Sequence, residues 1–318
     1  MLSTGGHKFG PPAGFAIAPR VEPSPAQDRP FDRGLRRLRR DRAAGRGDGA
    51  AYLRRRAADE LIERLDLVRR DFREALDLGC GDLYLTERLR GRVLGVTPAD
   101  PGWRFAGAAG GVQCDEDRLP FRDGSFDLIV SVGVLDGVND LPGALALARR
   151  ALRPDGLFLA AFAGAGTLPA LRRAMRSAEE AAGMASSPRI HPQIDVRAAG
   201  DLLARAGFAM PVADADTVTV RFPSLLRLVD DLRAMGATNV LAARSQRPLG
   251  RTALAAAMTA FAAEAGEDGK TAERFEIVYM SGWAPSPDQP TPARRGSATA
   301  SLAAALRPKP RAGPPAEG

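Results

Sequence analysis

The chain has 318 residues, 45% of them hydrophobic, and a net charge of +7, enough apolar material for one good core with an appended subdomain. No apolar run approaches the roughly 20 residues that span a bilayer, and the first thirty residues carry no recognisable signal peptide, so a soluble, cytoplasmic protein is expected. With only two cysteines, Cys80 and Cys114, and two histidines, a disulfide framework is excluded and no metal-ligand cluster is offered; the cysteines read as small buried residues in a reducing compartment.

Residues 1–30 are rich in Gly, Pro and Ala without periodicity and are expected to be disordered, as is the tail at 285–318. Residues 31–73 read as basic helices packed on a sheet, with Tyr52, Leu61, Ile62, Leu65 and Val68 as the apolar face. Between Arg33 and Arg56, ten arginines face two acids, Asp41 and Asp48. That run is either a solvated helix face or a surface for an acidic protein partner or anionic membrane. Nucleic acid is disfavoured, because Tyr52 is the only aromatic residue among the arginines.

The segment EALDLGCG at 74–81 is the most informative. Ala75, Leu76 and Leu78 form a short apolar strand with one acid, Asp77, near its carboxyl end. Gly79 and Gly81 lack a Cβ, so the backbone there can turn sharply and approach a ligand, and a helix at about 83–89 turns its free N–H groups to the same crevice. The same glycines also suit a plain strand-to-helix turn.

Further strands are expected at 92–96, 111–114, 126–131 and 157–162, with a helix capped by Asn139 or Asp140 and ended by the RPDG at 153–156. Helices follow at 167–182 and 195–206, then a sixth strand at 218–222, helices at 223–235 and 252–265, and a seventh strand at 275–283. Strands alternating with helices imply an α/β Rossmann-like fold. Its sheet is seven-stranded and mostly parallel, with ligands bound at the strands' carboxyl ends. The core spans 74–222, and a helical insertion with the final strand spans 223–284. That insertion is placed to cover the ligand crevice.

LDLGCG at 76–81, DEDRLPF at 115–121 leading into DGSFDLIV at 123–130, and LRPDGLF at 152–158 together resemble the class I S-adenosylmethionine-dependent methyltransferases. A narrower resemblance rests on FDR at 31–33, VNDLP at 138–142, SPRIHP at 187–192, AGF at 206–208, DLRAMG at 231–236, YMSGW at 279–283 and RGSA at 295–298. It is to the alphaproteobacterial and mitochondrial methyltransferase-like complex I assembly factors, whose animal member is implicated in arginine hydroxylation. The malonyl-carrier-protein methyltransferases of biotin synthesis are more distant relatives. The resemblance implies S-adenosylmethionine as cofactor, held by Asp77, Gly79, Gly81, Thr97 and Asp115. It also implies a protein partner among NADH dehydrogenase subunits, and it assigns no catalytic residue.

Asp115 reads either as the acid facing the adenine amino group or as a turn cap, and Asp77 either as a ligand group or as an acceptor for turn N–H groups. His191, in a proline-bounded loop, reads as structural rather than catalytic. Trp103 and Trp283 read as core or hydrophobic cover.

Four positions depart from the family pattern. Leu83 stands where a third glycine is usual, and Thr97 stands where the second strand usually ends in an acid for the ribose hydroxyls. Asp136-Gly137 replaces a His-Trp pair, and the GAGT at 164–167 lacks the usual carboxylate. All four fall at ligand-facing loops, so cofactor binding is expected to be weakened or lost, as in a degenerate paralogue.

Overall fold

The computed structural model describes residues 29–183 and 187–289, and the expected disordered ends lie outside those residues except at their inner edges. Two helices open the chain, α1 (Arg33–Ala44) and α2 (Tyr52–Asp66). Asp32 caps α1 by accepting the Leu35 N–H. An alternation of β1 (Glu74–Leu78), α3 (Tyr84–Arg90), β2 (Gly95–Asp100), α4 (Trp103–Ala108), β3 (Val112–Gln113), β4 (Phe126–Val132), α5 (Leu141–Ala151) and β5 (Leu152–Ala163) follows. The chain continues through α6 (Pro169–Ala181), α7 (Val196–Arg205), β6 (Ala209–Phe222), α8 (Leu225–Ala234), α9 (Arg251–Ala262) and β7 (Thr271–Trp283).

These strands form one seven-stranded sheet in the order β3-β2-β1-β4-β5-β7-β6. The first five are parallel to their neighbours, whereas β7 runs antiparallel to both β5 and β6. The order reverses between β1 and β4, and that switch point is where open α/β sheets bind ligands.

Alternation along β4 divides the core. Leu128, Val130 and Val132 pack with α2 and α3 through Leu61, Ile62, Leu85 and Leu89. Ile129 faces the opposite layer, with Leu145 and Ala148 of α5 and Leu203 of α7. Side chains of this kind each contribute about 1.5–3 kcal/mol when fully buried. Tyr52 is half-buried and Val68 packs at the margin of the α2 face, so the expected apolar stripe is present with Leu61, Ile62 and Leu65 at its centre. A third cluster joins α6, α8 and α9 through Leu171, Leu228 and Phe261.

Four strands differ from the expected ranges. β5 starts at Leu152 rather than 157, so the RPDG expected to end the preceding helix lies within the strand, and β7 starts at Thr271 rather than 275. The second strand was expected at 92–96 but runs over Gly95–Asp100, through Pro98, which reads as a strand breaker in sequence. It is tolerated because β3 pairs only with Ala99 and Asp100, so Pro98 has no partner on that side. The sixth strand was expected at 218–222 but begins at Ala209. Its ADAD at 213–216 has poor strand propensity, yet each of those residues pairs with β7. Trp103 is 62% exposed and belongs to no core, while Trp283 packs partly buried beside the α2 layer. Both cysteines are buried and free.

Candidate functional site

The carboxyl end of β1 turns through Gly79 (φ 91°) and Gly81 (φ 51°). The N–H groups of Gly79 and Cys80 both donate to the Ala99 carbonyl, at 2.7 and 3.0 Å, which ties the turn to the end of β2. A Cβ at Gly79 would sit 2.6 Å from a methyl of Val134, and one at Gly81 would sit 2.7 Å from the guanidinium carbon of Arg54. Leu83 is left-handed, with φ 65°. The chain has therefore kept a backbone shape that suits glycine while carrying a branched side chain there.

Thr97 does not stand at the strand end as expected. It pairs with Leu76 in mid-strand, three residues, or about 10 Å, short of the carboxyl end. The strand-end acid is Asp100, fully buried and four residues beyond the expected strand end at 96. The physical ground for the missing ribose acid is thereby removed, although Asp100 is not free. Its carboxylate accepts from Arg40 Nε (2.7 Å) and Nη2, from the Gly102 N–H (2.7 Å) and from the Gly81 N–H (3.2 Å). Burial works against its charge, but the Arg40 guanidinium and these N–H groups hold the carboxyl below its ordinary range.

Asp115 is buried against α1. Its carboxylate accepts from Arg37 Nη2 at 2.6 Å and pairs with Arg33 Nε at 3.2 Å. Arg36 grips Glu116 with two N–H groups at 2.6 and 2.9 Å and donates to the Val134 carbonyl, and Arg33 also reaches Asp117. Residues 33, 36, 37 and 40 share one helical face, and that face neutralises the acids at the ends of β2 and β3. Asp77 accepts the Thr86 hydroxyl at 2.6 Å but no turn N–H, and its Oδ1 is buried without a partner. Burial pushes its carboxyl up to about 6. Arg54 donates to the Gly79 carbonyl at 2.6 Å and pairs with Asp82, covering the glycine turn.

A cavity of about 1090 Å³ opens from this turn. Gly81, Leu83, Gly133 and Asp136 line its sheet end, while Leu225, Val229 and Leu232 of α8 and Leu254 of α9 roof it. The insertion between β6 and β7 therefore does cover the crevice. The loop at 164–167 has no acid of its own, but Glu276 of β7 supplies one, accepting the Gly166 N–H at 3.2 Å. His191 lies in the cavity wall with Nε2 accepting the Val240 N–H at 3.3 Å and its ring edge-on to Phe31. Burial lowers its pKa, so the ring is neutral and held by backbone. Among the described residues no His, Cys, Asp and Glu cluster could hold a metal ion.

Strand order, glycine turn and strand-end acid define a class I methyltransferase, and a methyltransferase domain model matches residues 76–160. Arginine-hydroxylase NDUFAF5, mitochondrial, of Danio rerio is 36% identical over 283 residues, covering 86% of this chain and 88% of the relative. Malonyl-[acyl-carrier protein] O-methyltransferase of Laribacter hongkongensis is 34% identical over 266 residues, covering 77% of this chain and 87% of the relative. The solved structure of YcgJ from Bacillus subtilis has the same fold, with a TM-score of 0.51 at 14% identity over 73% of this chain and 99% of that one. The chain belongs to the S-adenosylmethionine-dependent methyltransferase family, as a relative of NDUFAF5.

S-adenosylmethionine is the cofactor of this family, in which it supplies a methyl group activated for transfer. The residues fit it in kind. Gly79 and Gly81 give the turn its left-handed backbone, Asp100 is a strand-end carboxylate for a diol, and Asp77 Oδ1 is a buried acceptor without a partner. Two side chains stand against it: Arg54 covers the glycine turn, and with Arg40 engaged both Asp100 oxygens are fully subscribed.

Proposed function

We propose that the chain acts on a protein partner during assembly of respiratory NADH dehydrogenase, the role implied by its resemblance to the assembly-factor branch. The observation that carries this reading is the extent of the likeness to the NDUFAF5 relatives, which runs over 90% of this chain for the Homo sapiens protein and so includes α1, α2 and the roof of the cavity. Those are the parts outside the matched methyltransferase domain. In this reading the cavity receives a side chain of the partner, and the enclosing walls exclude water and fix its approach to the glycine turn. No helix among the described residues is long and apolar enough to cross a membrane, and the proposed compartment is the cytoplasm.

The test is loss of the gene followed by complementation, with assembled NADH dehydrogenase as the readout. Loss of assembly, restored by the wild-type chain, is the expected result; full assembly without the chain defeats the proposal. A second reading, a scaffold that does not use cofactor, is favoured by the Arg40–Asp100 pair. An Asp100→Asn, Arg40→Gln double variant separates the two, because a scaffold needs neither group once the fold is kept. Transfer of a methyl group to a malonyl carrier protein would instead place the chain with its more distant relatives.

A further inference from the structure

The arginines of α1 divide into two sets. Arg33, Arg36, Arg37 and Arg40 face inward onto acids. Arg39 and Arg42 face the other way, where Arg46 just beyond the helix, Arg104 at the start of α4 and Arg233 at the end of α8 join them around a concavity of about 350 Å³, completed by Thr238. Of these five guanidinium groups only that of Arg46 has an acid partner among the described residues, Asp230 at the surface, while Asp41 accepts the backbone N–H of Arg104 at 2.9 Å. The Nε of Arg39 and the hydroxyl of Thr238 are both buried without a hydrogen-bond partner. Burial and the neighbouring charges of Arg42, Arg244 and Arg233 lower the Arg39 pKa, the mark of a cationic cluster lacking a counter-charge.

Such convergence costs stability in the free protein. Two buried donors left unsatisfied add to that cost. Three elements distant in sequence bring these groups together, so the arrangement is not the by-product of one basic helix. We propose that this concavity is a binding site for a phosphate ester or diphosphate group. Guanidinium forks match phosphate oxygens two at a time, and one phosphate or diphosphate carries the several charges and acceptors that five converging arginines and a hydroxyl demand. Carboxylates of an acidic peptide carry one charge each and are spaced along a chain, so they satisfy so small a volume poorly. Arg104, Arg233 and Thr238 also line the large cavity, and a bound phosphate therefore fixes part of that cavity's wall. The site is independent of the partner proposed above.

The test uses the full chain with sodium pyrophosphate as probe, at constant ionic strength, read by calorimetry and by melting temperature. Saturable one-site binding with a rise in melting temperature is expected. An Arg39→Gln, Arg233→Gln double variant should bind at least tenfold more weakly while melting, without probe, no lower than wild type. Arg46→Gln, which removes an exposed and already paired group, should weaken binding only a few-fold. Thr238→Val tests the hydroxyl by a change that leaves the charges alone. Flotation with phosphatidylcholine vesicles, with and without phosphatidic acid, distinguishes the source. Capture by the anionic vesicles alone, lost in the double variant, assigns a lipid headgroup; pyrophosphate binding without capture assigns a soluble phosphate ligand. A response matched by sodium chloride, an unchanged affinity in the double variant, or tighter binding of a glutamate-rich peptide than of pyrophosphate would each overturn the proposal.

Discussion

Arg40 closes both oxygens of Asp100, so a helix outside the matched methyltransferase domain seals the strand-end acid of the cofactor crevice. Breaking a buried pair by deleting one partner strands a charge and costs about 3–5 kcal/mol. Arg40→Ala is expected to lose stability on that scale in urea denaturation, and Arg40→Ala with Asp100→Asn to recover much of it. The same single variant should bind S-adenosylhomocysteine more tightly than wild type, because the diol no longer competes with a guanidinium. Equal affinities would show that Arg40 is no barrier. Since the Asp100 carboxyl is held below its ordinary range, its contribution is full above that range. It is lost as pH falls through the lowered value, so wild type should lose stability more steeply in acid than the double variant.

Asp77 predicts the opposite pH dependence. Its folded-state pKa, about 6, lies above the ordinary carboxylate value because burial disfavours the charge, so ionisation costs the folded state free energy as pH rises through that window. Asp77→Asn keeps an acceptor for the Thr86 hydroxyl and removes the charge. It should stabilise the protein by about 1–3 kcal/mol near pH 7.5, with the gain shrinking towards zero near pH 4. Chemical denaturation of both proteins at the two pH values checks this, and a gain independent of pH would refute it.

Gly81→Val should destabilise by about 1–3 kcal/mol with or without cofactor, since a branched residue at φ 51° is strained and its Cβ meets the Arg54 guanidinium. A melting temperature equal to wild type would show that Arg54 and the turn yield easily.

What was legible in the sequence follows from how local each signal is. The apolar run of β4 and the glycine turn after β1 are set by adjacent residues, and both stand where the sequence put them. Asp100 lies beyond the expected strand end at 96, because the strand continues through Pro98, a residue that only the shortness of β3 makes acceptable there. The spacing of Arg33, Arg36, Arg37 and Arg40 announces one helical face, but not that the face is turned inward onto Asp100, Asp115, Glu116 and Asp117. A basic run read as a solvated face or a partner surface thus turns four of its ten arginines inward. Glutamine at Arg36 or Arg40 would break a buried ion pair.

Leu83 offers the sharpest test of whether the family departures are defects or adaptations. Its backbone sits in the left-handed region, where a side chain costs about 1–2 kcal/mol that glycine does not pay. Leu83→Gly relieves that strain but gives up a half-buried side chain lining the large cavity and gains flexibility in the unfolded chain. These terms oppose each other, so a change in stability within about 1 kcal/mol is expected by denaturant titration. Binding should respond more strongly, because removing the isobutyl group widens the sheet end of the cavity beside Gly81. S-adenosylhomocysteine affinity is expected to rise, and to rise further when Arg40→Ala is combined with it, since the two changes clear different parts of the crevice. If Leu83→Gly weakens binding instead, the leucine is a contact rather than an obstruction, and the departure from the family pattern is an adaptation of this chain.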